Sequence, residues 1–349
     1  MELPLNIIRI ATKQFMQFFK KIKKIKLIFS IVIIFIFIIF LLSRGWTFKK
    51  DQLEYGITFS KKQSQSLNLD WKENYIALLD DLKIRKLRLS AYWDEIESNE
   101  KNFQWQDLDW QIKEAGKRDV EIILAVGNRL PRWPECHLPL WVEKLDKNKR
   151  EEKTLQYIEK IITRYKNNKN IIVWQVENEP FLSHFGECFD FDSNFLDKEI
   201  ALVKKLDNRP IMITDSGELS IWIPATKRAD IFGTTMYLDT YSEKLKSYIH
   251  YPIKPGFFKF KKNIARIFSN PKKWIVIELQ TEPWGPEPFQ NLSKEERDKT
   301  MNLKKFKEII EFSHKAGFCE FYLWGAEWWY WELKVNNNPE IWNEAKKLF

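Results

Sequence analysis

The sequence predicts a (β/α)8 barrel preceded by a single apolar N-terminal helix, and three observations predict it. Eight short, almost wholly apolar runs alternate with amphipathic stretches from about residue 50 to the C-terminus. Runs of that kind read as strands buried on both faces, as in parallel sheets covered by helices. The first run, in "YGITFSKKQ", is followed by no glycine-rich phosphate turn, which a doubly wound nucleotide-binding sheet would want. Finally, acids, amides and tryptophans gather at the C-terminal ends of the runs, where such a barrel builds its site.

The N-terminal fifty residues differ from the rest. They hold ten Lys or Arg (Arg9, Lys13, Lys20, Lys21, Lys23, Lys24, Lys26, Arg44, Lys49, Lys50) against one acid, Glu2. Subtracting these from 57 basic and 48 acidic residues leaves 47 of each, so the body is neutral and its charge gives no reason to expect nucleic acid. Leu27–Leu42 is an apolar run of 16 residues interrupted in polarity only by Ser30. That is at the short edge of a membrane span, with Ile25 able to add length and Lys26 able to snorkel. The lysines before it predict a cytoplasmic N-terminus and an outward-facing body. We therefore expect a basic segment over 1–26, an uncleaved single-pass anchor over 27–43 and a barrel over 50–349, on the outer side of a cell membrane. A cleaved signal peptide is the lesser alternative, because Ser43-Arg44-Gly45-Trp46 makes a poor cleavage site. "NIIRIATKQFMQFFKKI" reads either as an interfacial basic helix or as a solvated stretch.

The expected strands are Tyr55–Phe59, Lys86–Ala91, Val120–Val126, Ile171–Val176, Pro210–Thr214, Ile231–Met236, Trp274–Ile277 and Phe318–Trp324. Between them Leu108, Ile112 and Ala115 mark a helix closed by Gly116, and Leu155, Ile158 and Ile162 mark another. Leu303, Phe306 and Ile310 mark a third, after a capping box at Ser293 and Glu296. The longest connection, about 238–273, should carry a helix and an irregular insertion over the barrel mouth. Of three cysteines, Cys319 lies in an apolar run, while Cys136 and Cys188 lie in polar loops. An extracytoplasmic body would allow those two to pair; spacing alone leaves it open.

The strand ends carry the chemistry. The fourth run finishes in Glu177-Asn178-Glu179-Pro180 and the seventh in Ile277-Glu278, while the second contains Arg88. Fourth and seventh strands lie across a barrel from one another, so Glu179 and Glu278 can face each other over a cleft. Two opposed carboxylates are what retaining glycoside hydrolysis requires: one attacks the anomeric carbon, the other gives and later takes a proton. The charge of one keeps its neighbour protonated. Glu177 reads as a structural carboxylate. Glu282 and Glu327 read equally as sugar contacts or as supports.

Together "Asn178-Glu179-Pro180", "Ile277-Glu278" and Arg88 resemble the clan A glycoside hydrolases, with "LAVGNRLPRWPECHLPLW" and "ELQTEPWG" similar to cellulase-type members. The resemblance covers about residues 52–349. It implies Glu179 as acid/base and Glu278 as nucleophile, with Asn178 on the sugar 2-hydroxyl. It further implies Arg88 and Tyr237 holding Glu278, and Trp324 as the floor of the cleavage subsite. Many members place a histidine after the third strand; this chain has Asn128-Arg129 there, which puts the contacts of that loop in doubt.

The chain has 16 tryptophans. An indole face with a polar edge suits a pyranose, and Trp93, Trp133, Trp284 and Trp324 at expected strand ends are read as sugar platforms. Only four histidines occur, His137, His184, His250 and His314, with no H-x-H or H-E-x-x-H pair, so a metal-dependent hydrolase is disfavoured. Retaining hydrolysis needs no cofactor. The expectation is a membrane-anchored retaining hydrolase of a β-linked oligo- or polysaccharide. Transglycosylation at the same site, or a barrel that only binds glycan, are the alternatives.

Overall fold

The computed structural model describes residues 5–42, 49–182 and 184–349. Its centre is a closed barrel of eight parallel strands. In chain order the strands are β1 (Glu54–Thr58), β2 (Lys86–Ser90), β3 (Glu121–Val126), β4 (Ile171–Val176), β5 (Ile211–Asp215), β6 (Ile231–Met236), β7 (Asp239–Ser242), β8 (Ser247–His250), β9 (Lys273–Gln280) and β10 (Glu320–Trp324). The ring runs β1-β10-β9-β6-β5-β4-β3-β2, while β7 and β8 form a separate antiparallel hairpin. The barrel class read from the sequence is thus the fold, with all eight expected strands present and their ends moved by a few residues.

Burial on both strand faces explains the apolar runs. Inside the ring Ile123, Val173, Met212, Ile231, Ile275, Ile277 and Tyr322 form one packed layer. The outward faces, among them Leu87, Ile122, Leu124, Trp174 and Val276, pack against helix residues such as Tyr157, Ile158, Phe306 and Ile309. Each such side chain, fully buried, contributes about 1.5–3 kcal/mol. At the N-terminal rim Lys86 pairs with Glu54 (3.1 Å), Glu121 (3.1 Å) and Glu320 (3.4 Å), closing that end with charge and leaving the other for the site.

Three helices match the periodicities: Gln106–Gly116, Lys147–Tyr165 and Leu303–His314. Ser293 is a helix cap, but of another helix, and the reciprocal half of the expected capping box is not formed, since the Glu296 carboxylate bonds Tyr248 and Lys299 instead. Ser293 Oγ accepts from Glu296 N at 3.2 Å to cap a short helix, Lys294–Asp298, while Leu303–His314 has its own cap, Asn302, which accepts from Lys305 N at 3.0 Å. The long connection after β6 holds the expected helix, Pro255–Phe268, but the remainder is the β7–β8 hairpin rather than irregular chain. Its entry is pinned by Gln280 of β9, whose Oε1 accepts from Leu238 N and Asp239 N.

A helix over Leu5–Leu42 precedes the barrel. Its described apolar side chains stand exposed, Phe29 at 66% and Phe35 at 61% among them. Among the described residues no helix is long and apolar enough to cross a membrane, so the expected transmembrane span is not found. The segment at 43–46 lies outside the described residues.

Candidate active site

Five strand ends converge on one polar centre. Arg88, completely buried in β2 between Leu87 and Leu89, faces inward. All three of its donor nitrogens are engaged. Nη1 donates to Glu278 Oε1 (2.7 Å), Nη2 to Asn178 Oδ1 (2.7 Å) and Nε to Gln175 Oε1 (2.8 Å). Glu278 sits inside β9 rather than after it, because that strand runs on to Gln280. Its second oxygen accepts from Tyr237 Oη at 3.0 Å, at the end of β6. Tyr237 is itself fixed by Glu218, which accepts from its backbone N at 2.8 Å.

The turn after β4 carries strain. Glu177 and Glu179 both adopt left-handed backbone, with φ of 59° and 42°, a conformation non-glycine residues hold only where the surroundings enforce it. The enforcing bonds are visible. Asn178 N donates to Arg129 O (2.7 Å), Glu179 N to Thr214 Oγ1 of β5 (2.8 Å), and Glu177 N to Val126 O (3.0 Å). Glu177 is a support: its carboxylate accepts the backbone N–H of Asn128 (2.7 Å) and Arg129 (2.6 Å). Gly127 makes room for it, since at φ 124° a Cβ there would stand 2.2 Å from Glu177 Oε1. The loop with Asn128-Arg129 in place of a histidine is thus locked to the turn that carries the acid pair.

Glu179 is 5% and Glu278 4% exposed. Burial first, then the charges of Glu278, Glu135 and Asp215, hold the Glu179 carboxyl well above the ordinary carboxylate range, with Arg129 opposing. Among the described residues its Oε1 has no hydrogen-bond partner. Glu179 therefore has the character of a proton donor. Glu278, between a guanidinium and a phenol, has the character of a carboxylate held in one orientation.

The remaining expected residues divide. Trp324 ends β10, donates Nε1 to Glu282 Oε1 at 2.7 Å and lies under the Arg132 guanidinium at 4.0 Å. Trp284 packs edge-on to Tyr237 (5.4 Å) and stacks on Phe185 (6.2 Å), and Phe185 in turn meets Trp133 (6.0 Å). These rings make an aromatic row from the loop after β3 to the end of β6. Trp93 is the correction. It is fully buried in the helix Trp93–Ile96, stacked on Tyr157 with Nε1 donated to Glu97, and has no face left for a sugar.

Several residues here escaped the sequence reading. Arg132 bridges Glu282 (2.5 Å) and Glu327 (2.9 Å), tying the third loop to the seventh and eighth of the ring. Glu135 accepts from Asn178 Nδ2 at 3.0 Å. Both sit in "NRLPRWPEC", beside Cys136, which is disulfide-bonded to Cys188. The abundance of polar residues in that segment was the available signal; their direction was not readable.

Among the described residues no group of histidine, cysteine and acidic side chains is arranged to hold a metal.

Residues 54–217 match the family model for cellulase, glycosyl hydrolase family 5. The chain is 22% identical over 269 residues to β-galactosidase BgaA of Clostridium cellulovorans, covering 70% of this chain but only 40% of that protein. Among solved structures it resembles an exo-β-1,4-mannosidase from an Opitutaceae bacterium, with TM-score 0.54, 14% identity, and 78% of this chain on 51% of that one. It also resembles a family 10 endo-β-1,4-xylanase from Gloeophyllum trabeum, with TM-score 0.51, 16% identity, and 78% of this chain on 84% of that one. At such identities the structural likeness speaks to fold alone, and the likeness to clan A glycoside hydrolases rests on the family match together with the sequence relative.

Proposed function

We propose that this relative of the clan A glycoside hydrolases cleaves β-linked glycosides with retention of configuration. The observation that carries the reading is the contrast between two buried carboxyl groups. Glu179 is kept protonated by burial and by Glu278, while Glu278 is held by Arg88 and Tyr237. In the first step the Glu278 carboxylate bonds to the anomeric carbon as the glycosidic C–O bond breaks, and Glu179 gives its proton to the leaving oxygen. In the second, Glu179 takes a proton from water, whose oxygen displaces Glu278. The substrate is a β-linked oligo- or polysaccharide, its rings laid on Trp324, Trp284 and Trp133. The test is proton NMR of the first-formed product anomer from aryl β-glycosides and β-glucans, mannans and xylans, beside Glu179→Gln and Glu278→Gln. We expect the β-anomer first, a loss of about 10²–10⁴-fold for Glu179→Gln and at least as much for Glu278→Gln. An α-anomer, or full activity in either variant, refutes the assignment.

The N-terminal helix is read as a membrane attachment, with the barrel on the outer side. The run Leu27–Leu42 would extend about 24 Å, short of the ~30 Å hydrocarbon core, with Ile25 and a snorkelling Lys26 closing part of the gap. An apolar helix left exposed to water needs cover, and the disulfide between Cys136 and Cys188 suits an oxidising compartment. Fractionation of the full chain should place it with membranes, released by detergent and not by high salt or carbonate; a chain from residue 47 should stay in the supernatant. Recovery of the full chain in the soluble fraction would sink this reading.

A further inference from the structure

A third carboxylate stands beside the catalytic pair. Glu135 is 5% exposed and lies in the loop after β3, next to the bonded Cys136. Its Oε2 accepts from Asn178 Nδ2 at 3.0 Å and lies 4.0 Å from Arg129 Nε. Among the described residues no hydrogen bond reaches its Oε1. An acceptor oxygen left open on a side chain bonded to Asn178 is a place for a substrate donor.

The geometry says which donor. The two terminal nitrogens of one planar guanidinium, Arg88, hold Glu278 on one side and Asn178 on the other. That fork is rigid and its arms are neighbours. The resemblance to clan A glycoside hydrolases implies that a pyranose presenting C1 to Glu278 sets its C2 substituent at Asn178, and the fork keeps those two side chains adjacent. Asn178 has its carbonyl oxygen taken up by Arg88, Gln175 and Thr214, and one N–H given to Glu135. The C2 substituent thus meets an amide N–H and a carboxylate side by side.

We propose that Glu135 is a specificity-determining residue of the cleavage subsite, accepting a hydrogen bond from the C2 hydroxyl and so selecting 2-hydroxy over 2-deoxy sugars. A hydroxyl satisfies both members of the pair at once, because it donates to one and accepts from the other. A 2-deoxy sugar leaves the carboxylate unpaired, and sites built around a hydroxyl reject analogues that lack it. Burial pushes the Glu135 carboxyl up to about 7, with Arg129 opposing and the charge of Glu278 adding to the rise.

The inference rests on the hydrolase assignment, and one experiment separates the two. The full chain, Glu135→Gln and Glu135→Ala are assayed on the p-nitrophenyl β-glycoside that is turned over fastest among glucoside, galactoside, mannoside and xyloside, and on its 2-deoxy counterpart. The unaltered chain should lose kcat/KM steeply on the 2-deoxy substrate. In Glu135→Ala that further loss should shrink by about tenfold to a hundredfold, with Glu135→Gln, which keeps an acceptor oxygen, in between. An equal 2-deoxy penalty in all three forms overturns the role of Glu135 and leaves the hydrolase intact. No turnover of any glycoside by the unaltered chain overturns both.

Discussion

Arg88 concentrates the logic of the site in one side chain. It has no solvent contact, and its three bonds hold Glu278, Asn178 and Gln175. Removing it leaves Glu278 buried without its counter-charge, and breaking one partner of a buried ion pair costs about 3–5 kcal/mol. Arg88→Met should therefore lower unfolding stability in urea by that order and abolish turnover. Arg88→Lys should restore part of the stability and little of the activity, because one ammonium cannot span three acceptors set by a planar fork. Equal activity in Arg88→Lys and the parent would contradict the fork's role. The role of Arg88 was legible through the resemblance, and the structure supplies the physical reason: an arginine buried inside "KLRLS" needs acceptors within the barrel, and three are there. Glu135 and Arg132 were not legible, because where a loop side chain points depends on contacts from other loops.

At the scale of elements, the loops after β3 and β4 act as one unit. Cys136 and Cys188 join them across a separation of 52 residues, Glu187 N donates to Pro134 O at 2.9 Å, and Leu130 N closes on Glu135 O at 2.7 Å. This unit carries Trp133 and Phe185 at its edge and Glu135 within. Replacing both cysteines by alanine should lower stability by about 2–4 kcal/mol, seen as a lower melting temperature, and reduce kcat/KM through the loosened Glu135 and Trp133. Cys319→Ala, at the far end of β10, should leave kcat/KM unchanged; a matching loss there would show that the disulfide is not the cause. Sequence periodicity located the strands because barrel strands are buried on both faces. It misplaced what local pattern does not set. The β7–β8 hairpin, "DTYS" and "SYIH", lacks an Asn-Gly turn signal, and the end of β9 is fixed by pairing with β6 and β10 rather than by its own composition.

For the whole molecule, a mouth crowded with buried acids sets how stability depends on pH. Burial holds the carboxyls of Glu179 and Glu199 well above the ordinary range, Glu135 and Glu218 at about 7, and Asp215 at about 6. In the unfolded chain such groups ionise near about 4. Between those limits the folded protein binds more protons than the unfolded chain, so stability falls as pH rises. The contribution is complete below the unfolded pKa and is lost as pH passes through about 6 to 7. His137, pushed down to about 3 by burial, works in the opposite direction below its ordinary range, but it is one group against several. Carboxylates lowered by surface partners, such as Asp80 beside Arg118, are ionised in both states by pH 5 and add no slope above it. The buried lysines Lys261 and Lys262, both lowered to about 8, enter only at the alkaline end. The melting temperature should therefore decline steadily from pH 5 to pH 7.5. Glu218→Gln, which keeps Glu179 and Glu278 and removes one of the titrating groups, should flatten that decline. A melting temperature that is level or rises over this interval would mean that the acids of the mouth are ionised together in the folded state, and the protonated Glu179 of the proposed mechanism would be lost with it.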